Sequence, residues 1–131
     1  MGAKSPADPA RVRAELLARA DTLHPAWAAQ ELAKGASGDV VWSQALQLGV
    51  MRFEGLAPND PKQSQYQLWI FDETQEHPID GGVFDVAGAD VLVPIDAKLR
   101  VQKPKLFAIT VEKPGGVVVS DQKRIALVAS L

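Results

Sequence analysis

Carboxylates are the side chains in this sequence that come closest to a chemical site. Asp72 and Glu73 adjoin, and Asp80 and Asp85 follow shortly after. Two carboxylates facing each other across a cleft could hydrolyse a glycoside, and the same oxygens could hold calcium. Their neighbours favour a plainer role. Asp72, Glu73 and Glu76 lie in a polar loop where charge keeps the turn hydrated, and Asp80 precedes Gly81-Gly82, where Asp commonly organises turns. Their spacing matches no dense Asp-x-Asp calcium loop. His24 and His77 each precede a proline, and neither has a second histidine at metal-binding spacing. Both read as surface-loop residues. None of the six serines lies in a Gly-x-Ser-x-Gly elbow. Gly81-Gly82 and Gly115-Gly116 have neither the tail of a P-loop nor the spacing of a dinucleotide fingerprint. They read as turn residues that need positive φ or close backbone approach.

The chain has no cysteine, which removes disulfides, thiolate metal sites and cysteine nucleophiles. Trp42, Trp69, Phe71 and Phe107 could stack a sugar, but each sits inside an apolar run and reads as core. Trp27, between small residues that would also suit an edge strand, is left unplaced. The residues therefore assign no catalytic, cofactor-binding or metal-ligating position, and the chain reads as non-enzymatic.

The elements that carry these residues are mostly strands. Asp8-Pro9 starts a helix as N-cap and first helical residue. Val12, Leu16, Ala20 and Leu23 follow at helical spacing, predicting an amphipathic helix over 8–21 after a loose lead at 1–7. His24-Pro25 ends that pattern. Residues 25–37 are open between helix and strand. From Asp39 the period becomes strand-like, with strands predicted at 40–43, 46–54, 66–71, 82–86, 91–95, 106–112, 117–119 and 124–129. Tyr66 to Phe71 is apolar on both faces except at Gln67, the pattern of a central strand. The strands at 82–86 and 91–95 read as a hairpin, and Pro94 puts the second of them at an edge or end. The expected fold is mostly β, an antiparallel β-sandwich of about seven to eight strands with one N-terminal amphipathic helix. Residues 1–35 read as helix and lead-in, a candidate membrane-proximal stalk, and 36–131 as the sandwich domain. Tyr66, Leu68, Trp69, Ile70, Phe71, Phe84, Phe107, Ile109 and Val111 are the expected core.

Length and composition agree with one globular domain. An apolar share of 47% argues against global disorder. A formal charge of −2 and the lack of a basic block argue against nucleic-acid binding. No apolar run approaches the ~20 residues that span a bilayer, and no signal peptide is evident, so the chain as given reads as soluble.

Three segments in order also resemble a known family: Tyr66-Gln67-Leu68-Trp69-Ile70, Asp80-Gly81-Gly82-Val83-Phe84, and the run from Phe107 through Ala108-Ile109-Thr110-Val111-Glu112 to Lys113-Pro114-Gly115-Gly116. Together they look like the C-terminal domain of the anti-sigma-K factor family, which shows a Tyr-Gln-Leu-Trp strand, a Gly-containing hairpin and an Ala-Val-Thr-Glu-Pro-x-Gly-Gly signature. Gly38-Asp39-Val40-Val41-Trp42 and the Gly55-Leu56 step also fit. The resemblance covers about residues 38–120, with 22–30 a candidate first strand. It implies a bacterial single-pass membrane protein whose cytoplasmic segment restrains an extracytoplasmic-function sigma factor. This chain would then be the periplasmic, extracytoplasmic sensor domain, without the sigma-binding segment or the membrane helix. Its partners would be the sigma factor through that segment, and an extracytoplasmic protein or protease. The resemblance carries over no catalytic or cofactor residue. A ligand- or carbohydrate-binding β-sandwich module, with exposed aromatics and the 72–80 loop as its site, is the second reading. A hydrolase using Asp72, Glu73 or Asp85 is a distant third. Exposure of Trp42 and Trp69 separates the first two readings.

Overall fold

The structure, a computed structural model, describes residues 8–131. The lead at 1–7 lies outside them, with the start of the expected stalk. The described residues form helix α1 (Pro9–Leu17) and nine strands: β1 (Thr22–Leu23), β2 (Ala28–Ala29), β3 (Ser37–Ser43), β4 (Leu48–Glu54), β5 (Gln65–Asp72), β6 (Ile79–Phe84), β7 (Asp90–Pro94), β8 (Pro104–Glu112) and β9 (Ile125–Ser130). They make two antiparallel sheets, β1-β3-β4-β7 and β2-β9-β8-β5-β6. The mostly-β sandwich expected from the sequence is what forms.

Side-chain alternation explains the layers. Val40, Trp42, Met51 and Phe53 from the first sheet meet Tyr66, Leu68, Ile70, Phe107, Ile109 and Leu127 from the second in one continuous core. Trp27, Phe53, Phe84 and Tyr66 stack in series, with ring centroids 5.3–5.7 Å apart. That places Trp27, which the sequence left open, at one end of a row of core rings. The segment around it supplies an isolated bridge from Ala26 to Asp39, then β2, then a 3-10 turn at Glu31–Ala33.

Several local expectations fail, each for a tertiary reason. The helix stops at Leu17 rather than 21. The Thr22 hydroxyl donates to the Leu16 carbonyl, and Asp21 accepts from Ser43 and the Ala45 N–H. These bonds turn the chain into β1 beside β3. Ala20 is consequently exposed, and Leu23 packs on the main core rather than in the helical stripe. The predicted hairpin of 82–86 with 91–95 does not form. β6 pairs with β5, and β7 with β4 in the other sheet. The link between them crosses the rim, bonded instead to the 55–59 segment through Gly55 N–H to Ala89 and Asn59 to Val86. β7 is an edge strand, as Pro94 required.

The predicted strand at 117–119 is absent. Gln67, on β5, reaches out and bonds both main-chain groups of Val117: its Oε1 accepts from the N–H at 2.9 Å, and its Nε2 donates to the carbonyl at 3.0 Å. The segment pairs with a side chain, not with a strand, and Val118 is left 90% exposed. Gly116 permits this approach. Its φ is +76°, and a Cβ there would lie 2.7 Å from the Gln67 amide oxygen. Trp69 is buried as expected, but not between the sheets. It is 1% exposed, yet alternation puts it with Gln67 on the outer face of its sheet, where its Nε1–H donates to Thr110 Oγ1 at 2.9 Å. Phe71, on the same face, is only half-buried.

Candidate functional site

The acids first considered for chemistry are occupied as structural acceptors. Asp72 Oδ2 accepts from the Gln102 N–H at 2.6 Å, and its Oδ1 from the main chain and hydroxyl of Thr74. Burial alone would raise its pKa, but the N–H groups of Gln102 and Thr74 outweigh it and hold the carboxyl below its ordinary value. Asp85 is likewise held low by Asn59 and Gln65. Asp80 accepts from the Gly82 N–H, and Glu73 pairs with Lys105 at 3.3 Å. A cleft of about 330 Å³ between β6 and β7 includes Asp80, Asp96 and Lys98, but Asp96 and Lys98 pair with each other. Among the described residues no three His, Cys, Asp or Glu side chains converge as a metal site would need. Trp42 and Trp69 are 0% and 1% exposed, so neither can stack a sugar.

The polar cluster that does converge lies under α1, on the outer face of the four-stranded sheet. In β3 the alternation that turns Val40 and Trp42 inward turns Asp39 and Val41 outward. Cross-strand register sets Asp39 opposite Arg52 and Val41 opposite Val50. Helix α1 lies over this face. Leu16, 1% exposed, packs on Val41 and Val50, flanked by Val12 and Leu92.

One turn before Leu16, Arg13 reaches the same face. Its Nη2 donates to Asp39 Oδ2 at 2.7 Å. His24 Nε2 lies 2.9 Å from that oxygen and Arg52 Nη2 3.4 Å. Arg52 also pairs with Glu54. Asp39 thus joins α1, the segment after β1 and β4 through one carboxylate oxygen. Burial pushes its pKa up; the hydrogen bonds from His24 and Arg13, with the charges of Arg13 and Arg52, more than offset that and bring it below the ordinary value. Asp39 Oδ1 and Arg13 Nε are buried with no hydrogen-bond partner among the described residues, so the polar contact is incompletely satisfied.

Local pattern marks Asp39 only as the point where the strand-like period begins, and His24 as a plain loop residue. A lone acid in an otherwise apolar strand was the available signal, because such a residue needs a partner if it is buried.

Comparison with known proteins now adds to this geometry. A family model described as the C-terminal part of the anti-sigma-K factor rskA matches residues 1–122. The chain belongs to the anti-sigma-K factor C-terminal family. No curated protein and no solved structure was found to match it. Membership implies a sigma factor as partner of the full-length protein. The match takes in α1 and the Asp39 cluster together with the strands that suggested the family. No helix among the described residues is long and apolar enough to cross a membrane.

Proposed function

We propose that this anti-sigma-K factor domain is the extracytoplasmic regulatory part of a membrane-anchored protein controlling an extracytoplasmic-function sigma factor, and that it works by binding rather than catalysis. The observation that carries this reading is the mounting of α1. The first described element of the chain is held to the sandwich by one buried leucine, a flanking valine and an arginine on a shared carboxylate. A ligand or partner that prefers the undocked state would release that element, and one that prefers the docked state would retain it. Released, the stretch from α1 toward β1 becomes accessible to a protease or a second protein. The sandwich provides a rigid body against which the change takes place.

The test uses the full-length gene product. Expected are co-purification with a sigma factor through a segment outside this domain, and cleavage of this domain by protease added to the outside of spheroplasts. A full-length protein that leaves this domain protected in intact spheroplasts, and cleaved only after lysis, would overturn the extracytoplasmic assignment. Failure to bind any sigma factor would overturn the regulatory one.

A further inference from the structure

Beyond α1 the chain is sewn into both sheets along one side of the sandwich. β1 pairs with β3 at the edge of the first sheet, Thr22 with Ser43 and Leu23 with Trp42. β2 pairs with β9 at the edge of the second, Ala28 with Val128 and Ala29 with Leu127. Trp27 sits where the chain crosses from one to the other. It is 7% exposed, and its ring stacks on Phe53 at 5.4 Å. The main chain around it is bonded to both sheets. The Trp27 N–H donates to the Gly38 carbonyl at 3.0 Å, the Val40 N–H to that of Pro25 at 2.9 Å, and the Gln30 N–H to that of Ala126 at 2.8 Å. The residues before Pro25 are held more weakly. Leu16 packs on two valines, Thr22 and Leu23 are half-buried, and the His24 ring is bonded to Asp39.

We propose that Trp27 is a stop: an opening that begins at α1 releases residues 9–24 and goes no further. Residues that share contacts open as one unit, and α1 shares its contacts with the segment through His24. The Thr22 hydroxyl donates to the Leu16 carbonyl, and Asp39 holds both Arg13 and His24. None of these side-chain bonds reaches past His24. Peeling the chain further has to withdraw the Trp27 ring from the row it forms with Phe53, Phe84 and Tyr66, which returns a large apolar surface to water. Trp27 Nε1 is buried with no hydrogen-bond partner among the described residues, so the ring is held by packing and not by its N–H. The surface that release uncovers is then fixed. It is Val41, Val50 and Leu92 beneath α1, and the β3 edge at Trp42 and Ser43 that β1 covers. This inference rests on the undocking of α1 put forward above and sets its extent.

Native-state amide exchange of the Leu16→Ala chain tests it. The Val12 and Arg19 amides should exchange within about threefold of the unfolded rate, while those of Trp27 and Gln30 stay at least about a hundredfold slower than that rate. Adding Trp27→Ala should bring residue 27 and Gln30 to the unfolded rate too, with β5 still protected. Adding Trp27→Phe instead, which keeps a stacking ring and omits the unpaired N–H, should retain the stop. If the Trp27 and Gln30 amides are already unprotected in Leu16→Ala while β5 is protected, α1 undocks without a stop; the proposal falls and the regulatory reading stands. If β5 loses protection with them, α1 has no separate opening and both fall. Gln30 protection that survives Trp27→Ala would assign the boundary to main-chain bonds and overturn the role of the ring. The Leu16→Ala result decides where the opening ends even where Trp27→Ala does not fold.

Discussion

Between the two sheets, 20 buried hydrophobic residues form one cluster; under α1, among the described residues, there are three, Leu16, Val41 and Val50. The first region is made of rings and branched chains from both sheets. The second is one helical leucine on two valines, completed by charge on Asp39. Opening the first exposes the whole interior and amounts to global unfolding. Opening the second exposes a small patch and leaves both sheets paired, which is the condition for local rather than global opening. Global stability is therefore concentrated in the first region, and the second is the one built to open by itself. A fully buried leucine contributes about 1.5–3 kcal/mol, of the size that a ligand's differential affinity can offset.

The largest expected effect tests the first half of that contrast. Phe107, fully buried between the sheets, cut to alanine should cost about 3–5 kcal/mol by chemical denaturation, a large share of a typical total of about 5–15 kcal/mol. A Phe107→Ala chain that unfolds at the parent's denaturant midpoint would remove the distinction. Trp69→Ala should fall at the lower end of the same range of about 3–5 kcal/mol. Its ring is buried on the outer face of its sheet rather than between the sheets, and what covers it there can settle into the space more readily than a paired strand. A loss as large as that of Phe107 would mean the outer cover of this sheet is as rigid as the core.

Leu16→Ala tests the other half. Once the helix seat is weakened, the chain can undock α1 instead of unfolding, so the measured loss is capped by the docking free energy. Global stability should fall by less than about 2 kcal/mol, while amide-exchange protection across residues 9–17 disappears. Equal loss of protection in α1 and in β5 would show that helix and sandwich open together.

The same division explains what could be read from the sequence. The strands at β3, β4, β5, β8 and β9 were legible because each is a run of branched and aromatic residues bounded by turn formers. The helix start was legible because Asp8 caps it, accepting from the Ala10 N–H at 3.0 Å. The run at Val117-Val118-Val119 has the same composition as a strand and is not one, because strand propensity describes a residue's fit to a sheet and not whether a sheet is there to receive it. The single polar residue in β5, Gln67, was the relevant sign, and its partner lies 50 residues away. The Asp39 cluster was hidden for the same reason. Arg13, His24 and Arg52 stand 26, 15 and 13 residues from it, and no local pattern joins them. The pairing of β7 with β4 rather than β6 was beyond local reading too, since turn residues between two strands are compatible with crossing the rim as well as with a hairpin.

The smallest expected effect is the dependence of the helix seat on pH. Four groups face the Asp39 carboxylate or its partners: Arg13 from α1, His24 after β1, Arg52 from β4, and Glu54 through Arg52. The Asp39 pKa is lowered from its ordinary 3.8 when the chain is folded. A depressed acid contributes stability that is complete above the unfolded value and lost as pH falls through the folded one. Asp39 should therefore add no slope to α1 protection across neutral pH, and protection should decline only below 3.8. Measured in a His24→Gln background, which replaces the imidazole by a neutral donor, the decline belongs to the carboxylates. Asp39→Asn should abolish most of it and loosen the helix wherever the wild-type carboxylate is ionised, because two guanidinium groups then face an amide that cannot balance their charge. An acid-induced loss of α1 protection that is unchanged in Asp39→Asn would assign the docking to Leu16 alone and leave the charge cluster without a part in it.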